Sequence, residues 1–154
     1  MPRRSAALLL HRVRDGFVEV LIAHPGGPFW ARRDDGAWSI PKGEYGADED
    51  AWHAARREFT EEIGLAPPAG PRTDLGVFTQ PGGKQITVFA VAGDLDVSAA
   101  RSNTFELEWP KGSGRRREFP EVDRVAWFPL AQAETKLLAG QRPVLDRLRE
   151  LTRG

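Results

Sequence analysis

The sequence predicts a mixed α/β fold, a mixed β-sheet carrying helices on its faces, on three observations. Short runs rich in β-branched and aromatic residues recur along the chain, and two pairs of them flank Gly-containing turns. One amphipathic helical pattern interrupts these runs in the first half, and two more helical segments close the chain. No internal repeat and no linker divides residues 1–154, so the expectation is a single domain. A chain of this size buries roughly two-thirds of its unfolded surface.

Residues 5–13 and 17–24 are two strands around Arg14-Asp15-Gly16, a hairpin signal. In the second, Val18, Val20 and Ile22 alternate with Glu19 and Leu21, which suits a strand covered on both faces. Pro25-Gly26-Gly27-Pro28 breaks it, and residues 29–35 read as loop with Trp30, Arg32 and Arg33 at least partly exposed. Residues 38–40 are expected to form a short strand leading into Pro41-Lys42-Gly43. After the helical pattern, the Pro- and Gly-rich residues 66–70 are loop. Residues 75–80 and 85–91 flank Pro81-Gly82-Gly83-Lys84 as a second hairpin. Residues 103–109 alternate Phe105, Leu107 and Trp109 with acids, a half-buried strand, and residues 110–117 are expected to be a mobile loop. Residues 125–128 form a further strand, Pro129 starts a helix, and residues 131–138 and 143–151 are two helices split at Gly140.

The helical pattern lies in residues 43–65, GEYGADEDAWHAARREFTEEIGL, which hold seven acidic residues. Asp50 is a good N-cap, Gly64 a left-handed C-cap, and Trp52, Ala55, Phe59 and Ile63 make an apolar stripe. Glu58, Glu61 and Glu62 stand at i, i+3 and i+4, so they share one face beside that stripe. Like charges so placed repel by a few tenths of a kcal/mol per pair, and the ridge calls for a cation. Hard divalent ions prefer such carboxylate oxygens.

Composition narrows the function. Twenty-two basic and 22 acidic residues cancel, so no basic field draws nucleic acid or an anionic membrane, and neither is an expected partner. No cysteine is present, which excludes disulfides, thiol catalysis and Cys-based zinc sites. The opening apolar run is too short for a signal peptide core or a membrane span, and the protein is expected in the cytoplasm. His11, His24 and His53 share no metal-ligand spacing and read as ordinary residues.

Read in order, residues 43–65 are Gly43, five residues, Glu49, seven residues, Arg57-Glu58-Phe59, one residue, Glu61-Glu62, one residue, Gly64-Leu65. This resembles the Nudix box at every defined position. The resemblance implies the α/β/α sandwich of that family and hydrolysis of a nucleoside diphosphate linked to another moiety. It implies Mg²⁺ or Mn²⁺ as cofactor, held by Glu58, Glu61, Glu62 and the backbone carbonyl of Lys42. Glu58 and Glu62 are the first candidates to activate water, and Glu118 or Glu121 could supply a further carboxylate. In the family's pattern Glu49 and Arg57 brace the loop on the helix.

Substrate contacts are expected from the Lys42 ammonium, which can neutralise a phosphate oxygen, and from Arg115, Arg116 and Arg117 on a polyphosphate tail. A surface lysine and a solvated arginine run are the plain alternatives. Phe29, Trp30 or Trp38 could stack a base, although packing in the core suits Trp38 better. The Pro41-Lys42-Gly43 lead-in and the stretch from Phe119 to Phe128 resemble the diadenosine polyphosphate hydrolase branch, which makes a dinucleoside polyphosphate the expected substrate. A pyrophosphatase that clears damaged nucleotides from the pool, and a nucleotide-sensing module without catalysis, are the alternatives. The sequence carries no signal for an oligomeric state.

Overall fold

The protein was analysed as a computed structural model, which describes residues 4–152; residues 1–3 and 153–154 of the expected domain lie outside the described residues. The first hairpin joins β1 (Arg4–Arg14) to β2 (Phe17–Pro25) through Asp15 and Gly16, both at positive φ, as a two-residue turn between twisted strands requires. β3 (Lys42–Glu44) leads to helix α1 (Ala51–Ile63), and the second hairpin is β4 (Arg72–Thr79) with β5 (Gln85–Ala92). A separate two-stranded sheet is made by β6 (Thr104–Glu108) and β7 (Arg116–Pro120). β8 (Val122–Pro129), α2 (Leu130–Lys136) and α3 (Arg142–Thr152) follow.

The main sheet runs β4-β5-β1-β2-β8. β1 and β5 are parallel and the other pairings antiparallel, so the sheet is mixed. β2 pairs with β1 only from His11 onward, while β3 takes residues 5–7 on that same edge. The sheet therefore splits beside the start of β1, and the loop before α1 enters the split.

Alternation along β1 makes the sandwich. Ala6, Leu8 and Leu10 pack with Ala54, Ala55, Phe59 and Ile63 of α1, whereas Ala7 and Leu9 face the layer of Val144, Leu145 and Leu148 from α3. Among the described residues no helix is long and apolar enough to cross a membrane.

Helix α1 has its expected ends. Asp50 accepts from the His53 amide at 3.2 Å, and Gly64 closes the helix at φ 78° with its amide on the Thr60 carbonyl. The apolar stripe differs at one position. Trp52 is half-buried, its ring edge-on to Phe89 at 5.3 Å and under the Arg72 guanidinium at 4.7 Å; Ala54 is fully buried instead. Phe59 anchors the contact at 0% exposure. Phe59→Ala should cost about 3–5 kcal/mol in urea unfolding, since the emptied space is lined on all sides.

Two expectations are corrected. Residues 38–40 make only isolated bridges, Ser39 to Ala23 and Trp38 to Leu137, because Pro41 has no amide with which to continue a ladder. The strand falls on Lys42–Glu44 instead. The loop expected at residues 110–117 is shorter and ordered. Arg116 and Arg117 lie in β7, opposite Glu108 and Leu107, in a register that pairs Phe119 with Phe105.

Candidate active site

The split in the sheet brings three elements together: β3, the last two turns of α1, and the start of β8. With no side chain on Gly43, the Glu58 carboxyl group lies directly against its backbone; a Cβ there would displace that carboxyl group. Lys42 donates its amide weakly to Glu62 Oε2 at 3.4 Å. A cavity of about 150 Å³ runs from Glu62 past Arg101, Ser102 and Val122 to Arg124. A larger one, about 590 Å³, lies between the ends of β1 and β5 and the end of α3, lined by His11, Arg12 and Arg14, and contains none of the box residues. The smaller one, which contains Glu62, is the candidate site on the chemistry of its lining.

Arg57 organises the acidic face. Its Nε and Nη2 donate to the two oxygens of Glu49, each at 2.8 Å, a bidentate pair that ties the loop to the helix. Hydrogen bonding to Arg57 holds the Glu49 carboxyl below its usual range. The same guanidinium reaches Glu58 at 2.7 Å and Glu61 at 3.3 Å through Nη1. The ridge thus contains its own cation, a feature that its spacing had hidden although Arg57 and Glu61 stand four residues apart.

Glu62 is left out of that arrangement. Burial pushes its carboxyl up to about 8, against the opposing Lys42 charge and amide and with the help of Glu58 and Glu121. Glu58 is also raised by burial, with the Arg57 hydrogen bond working against the shift. Among the described residues no three acidic or histidine side chains already converge as a metal cluster. Glu58 and Glu61 are turned to Arg57, and Glu62 toward Lys42. The donor chemistry nonetheless fits a hard divalent ion: every candidate is an oxygen, and Glu62 is a half-buried carboxyl group with no bonded cation.

The other expected residues separate. Glu121 lies close enough for its charge to act on Glu62, whereas Glu118 accepts from Thr104 on the β6–β7 hairpin at 3.1 Å. Arg115, Arg116 and Arg117 make no hydrogen bond or ion pair to the box among the described residues; Arg116 pairs with Glu106 at 3.3 Å instead. Trp38 is core, at 3% exposure, and Phe29 is 63% exposed. Of the three histidines read as ordinary residues, one is a satisfied core residue. His24 is fully buried, with Nδ1 2.7 Å from Asp123 and Nε2 donating to the Arg33 carbonyl, and so ties the loop after β2 to the start of β8. A lone histidine before a proline carries no signal for this.

A split mixed sheet between helical layers, with a capped helix presenting its acids into the split, defines a class of fold and site together. The chain belongs to the Nudix family: the model of the NUDIX domain matches residues 1–148. It is 45% identical over 58 residues to the RNA pyrophosphohydrolase of Alkalilimnicola ehrlichii, a stretch that covers 34% of this chain and about a third, 32%, of that protein. The fold is similar to the NUDIX domain of Shewanella oneidensis NrtR, solved with ADP ribose (TM-score 0.67, 18% identity, 98% of this chain and 88% of that one). It is similar as well to the C. elegans Ap4A hydrolase (TM-score 0.63, 19% identity, 97% and 96%).

Proposed function

We propose that this domain is a Mg²⁺- or Mn²⁺-dependent pyrophosphohydrolase that cleaves a nucleoside diphosphate linked to another moiety, with a dinucleoside polyphosphate as its preferred substrate. The observation that carries the reading is the ridge of Glu58, Glu61 and Glu62 beside β3, with Glu58 against Gly43 and Glu62 half-buried and lacking a bonded cation. These three carboxylates and the Lys42 carbonyl would hold the metal. A bound divalent ion supplies charge neutralisation for the diphosphate and lowers the pKa of a water.

The chain's own groups do the rest. Arg57 and Glu49 fix the loop, so that Lys42 is presented at the cleft and its ammonium can offset a phosphate oxygen. Glu62 is favoured over Glu58 to take the proton of the attacking water, because Arg57 at 2.7 Å offsets the proton affinity of Glu58. Water adds in line at one phosphorus and the other phosphate departs.

The substrate preference is supported by the resemblance of the lead-in to the diadenosine polyphosphate hydrolases and by the arginine run. Removal of pyrophosphate from an RNA 5′ end is a second reading, supported by the similarity to an RNA pyrophosphohydrolase. A panel of diadenosine polyphosphates, ADP-ribose, dGTP, 8-oxo-dGTP and 5′-triphosphorylated RNA, each with Mg²⁺ and with Mn²⁺, tests both. Diadenosine compounds of four or more phosphates should win. Changing Arg115, Arg116 and Arg117 together to Gln should raise KM for them about tenfold with less effect on kcat, as loss of uniform binding does. A win for mononucleotides with an unchanged arginine variant rejects the polyphosphate reading.

A further inference from the structure

The β6–β7 hairpin grows directly out of the cleft. At its foot, Ser102 Oγ accepts from the Val122 amide at 2.9 Å and donates to the Val122 carbonyl at 3.1 Å. Glu121 donates its amide to the Asn103 carbonyl at 2.8 Å. Ser102 and Val122 also line the cavity that contains Glu62. The tip is built and held: Trp109 donates to the Arg115 carbonyl at 2.9 Å, and the Gly112 amide to Glu108 Oε1 at 2.6 Å.

What the tip offers is charge and rings. From Trp109 to Arg117 the chain carries Lys111, Arg115, Arg116 and Arg117 and no acidic residue. Among the described residues only Arg116 of these four has a carboxylate partner, Glu106, and that pair is exposed. Against the hairpin stands the loop after β2, whose Gly26 amide reaches the Glu121 carbonyl at 2.9 Å. From it Phe29 projects, 63% exposed and edge-to-face with Trp109 at 5.6 Å. Four residues separate Arg117 from Val122, with a bend at Glu121 between β7 and β8, so the path is at most about 17 Å at roughly 3.3 Å for each of five steps. The tip cations lie outside the box and join the cleft only through the bend at Glu121.

We propose that Phe29, Trp109 and the tip cations Lys111 and Arg115 to Arg117 form a distal subsite for the part of the substrate beyond the scissile diphosphate: an unpaired nucleobase with its phosphate. An exposed aromatic face stacks any base, and arginines grip phosphate oxygens in bidentate fashion. The second nucleoside of a dinucleoside polyphosphate and the second nucleotide of a triphosphorylated RNA present this same chemistry. The subsite rests on the pyrophosphohydrolase reading above and adds what selects long substrates over short ones.

The test compares Phe29→Ala, Phe29→Leu and Phe29→Trp with the parent on diadenosine tetraphosphate, on a 5′-triphosphorylated dinucleotide and on ATP, which has no second nucleoside. Binding of a methylene-bridged, non-hydrolysable diadenosine tetraphosphate is followed by calorimetry. Ala and Leu should each weaken binding and raise KM about tenfold for the substrate that uses the subsite, Trp should restore both, and kcat/KM for ATP should change less than twofold. The substrate that responds identifies the natural source of the base. Equal losses on ATP, or no loss on either long substrate, overturn the subsite. If the parent hydrolyses none of the three, the pyrophosphohydrolase reading itself fails, and the two failures are told apart.

Discussion

Glu62→Gln should lower turnover by two or more orders of magnitude while making the metal-free protein more stable at alkaline pH. The first effect follows from removing a proton acceptor and a metal-ligand charge with almost no change of shape. The second follows from linkage. The Glu62 carboxyl sits at about 8 in the folded chain, raised by burial, against an ordinary value of about 4.3 in the unfolded one. A group raised in this way binds more protons when folded. Its contribution is fully present below the unfolded value and is lost as pH climbs through about 8. Without divalent ions, the parent should therefore lose stability between about pH 4.5 and 8, and the variant should lose less over that range. At pH 8.5 the variant should be about 1–3 kcal/mol more stable in urea titrations, a figure discounted for water entering the cleft. Parallel pH profiles for the two proteins would mean that Glu62 is solvated, and its assignment would fall.

Mg²⁺ should raise the melting temperature of the parent by roughly 5–10 °C at a hundredfold excess over its dissociation constant. An ion that binds only the folded state at that excess contributes about 2.7 kcal/mol. For a chain of this size each kcal/mol moves the midpoint by about 2–4 °C. The magnitude tests Arg57 as well. Its guanidinium bonds Glu58 and Glu61, so binding has to draw both carboxylates away from it, and Glu49 alone keeps it in place. NaCl at matched ionic strength should give a much smaller shift, because exposed pairs are merely screened. Glu62→Gln should lose most of the Mg²⁺ response. Equal shifts from both salts would show an acidic surface and no metal site, and EDTA would then leave hydrolysis intact.

The legible part of the molecule was local. The Asp50 cap, the Gly64 stop, the Phe59 and Ile63 face and the two Gly-bearing hairpins could all be read because each depends on residues at most four or five positions apart. The box spacing likewise places Glu58, Glu61 and Glu62 on one face of the helix. Where local reading failed, a distant partner was the cause. An Arg-Gly composition reads as loop, yet Arg116 and Arg117 become strand because Phe119 pairs with Phe105 across the hairpin. Trp52 belongs to the stripe by count but sits at its rim, edge-on to Phe89 and under Arg72.

By itself, then, the sequence determined the family motif, the helix that carries it and the alternating strands of a mixed sheet. Those features follow from hydrophobic period and turn chemistry, which neighbouring residues settle among themselves. Tertiary structure decided which charges meet. It gave Arg57 to Glu58 and Glu61 as well as to Glu49, and it brought Glu121, not Glu118, toward Glu62. It also joined His24 to Asp123 across 99 positions. Burial and Coulomb energy depend on distance through space, and for groups 60 or 100 residues apart only the folded sheet sets that distance.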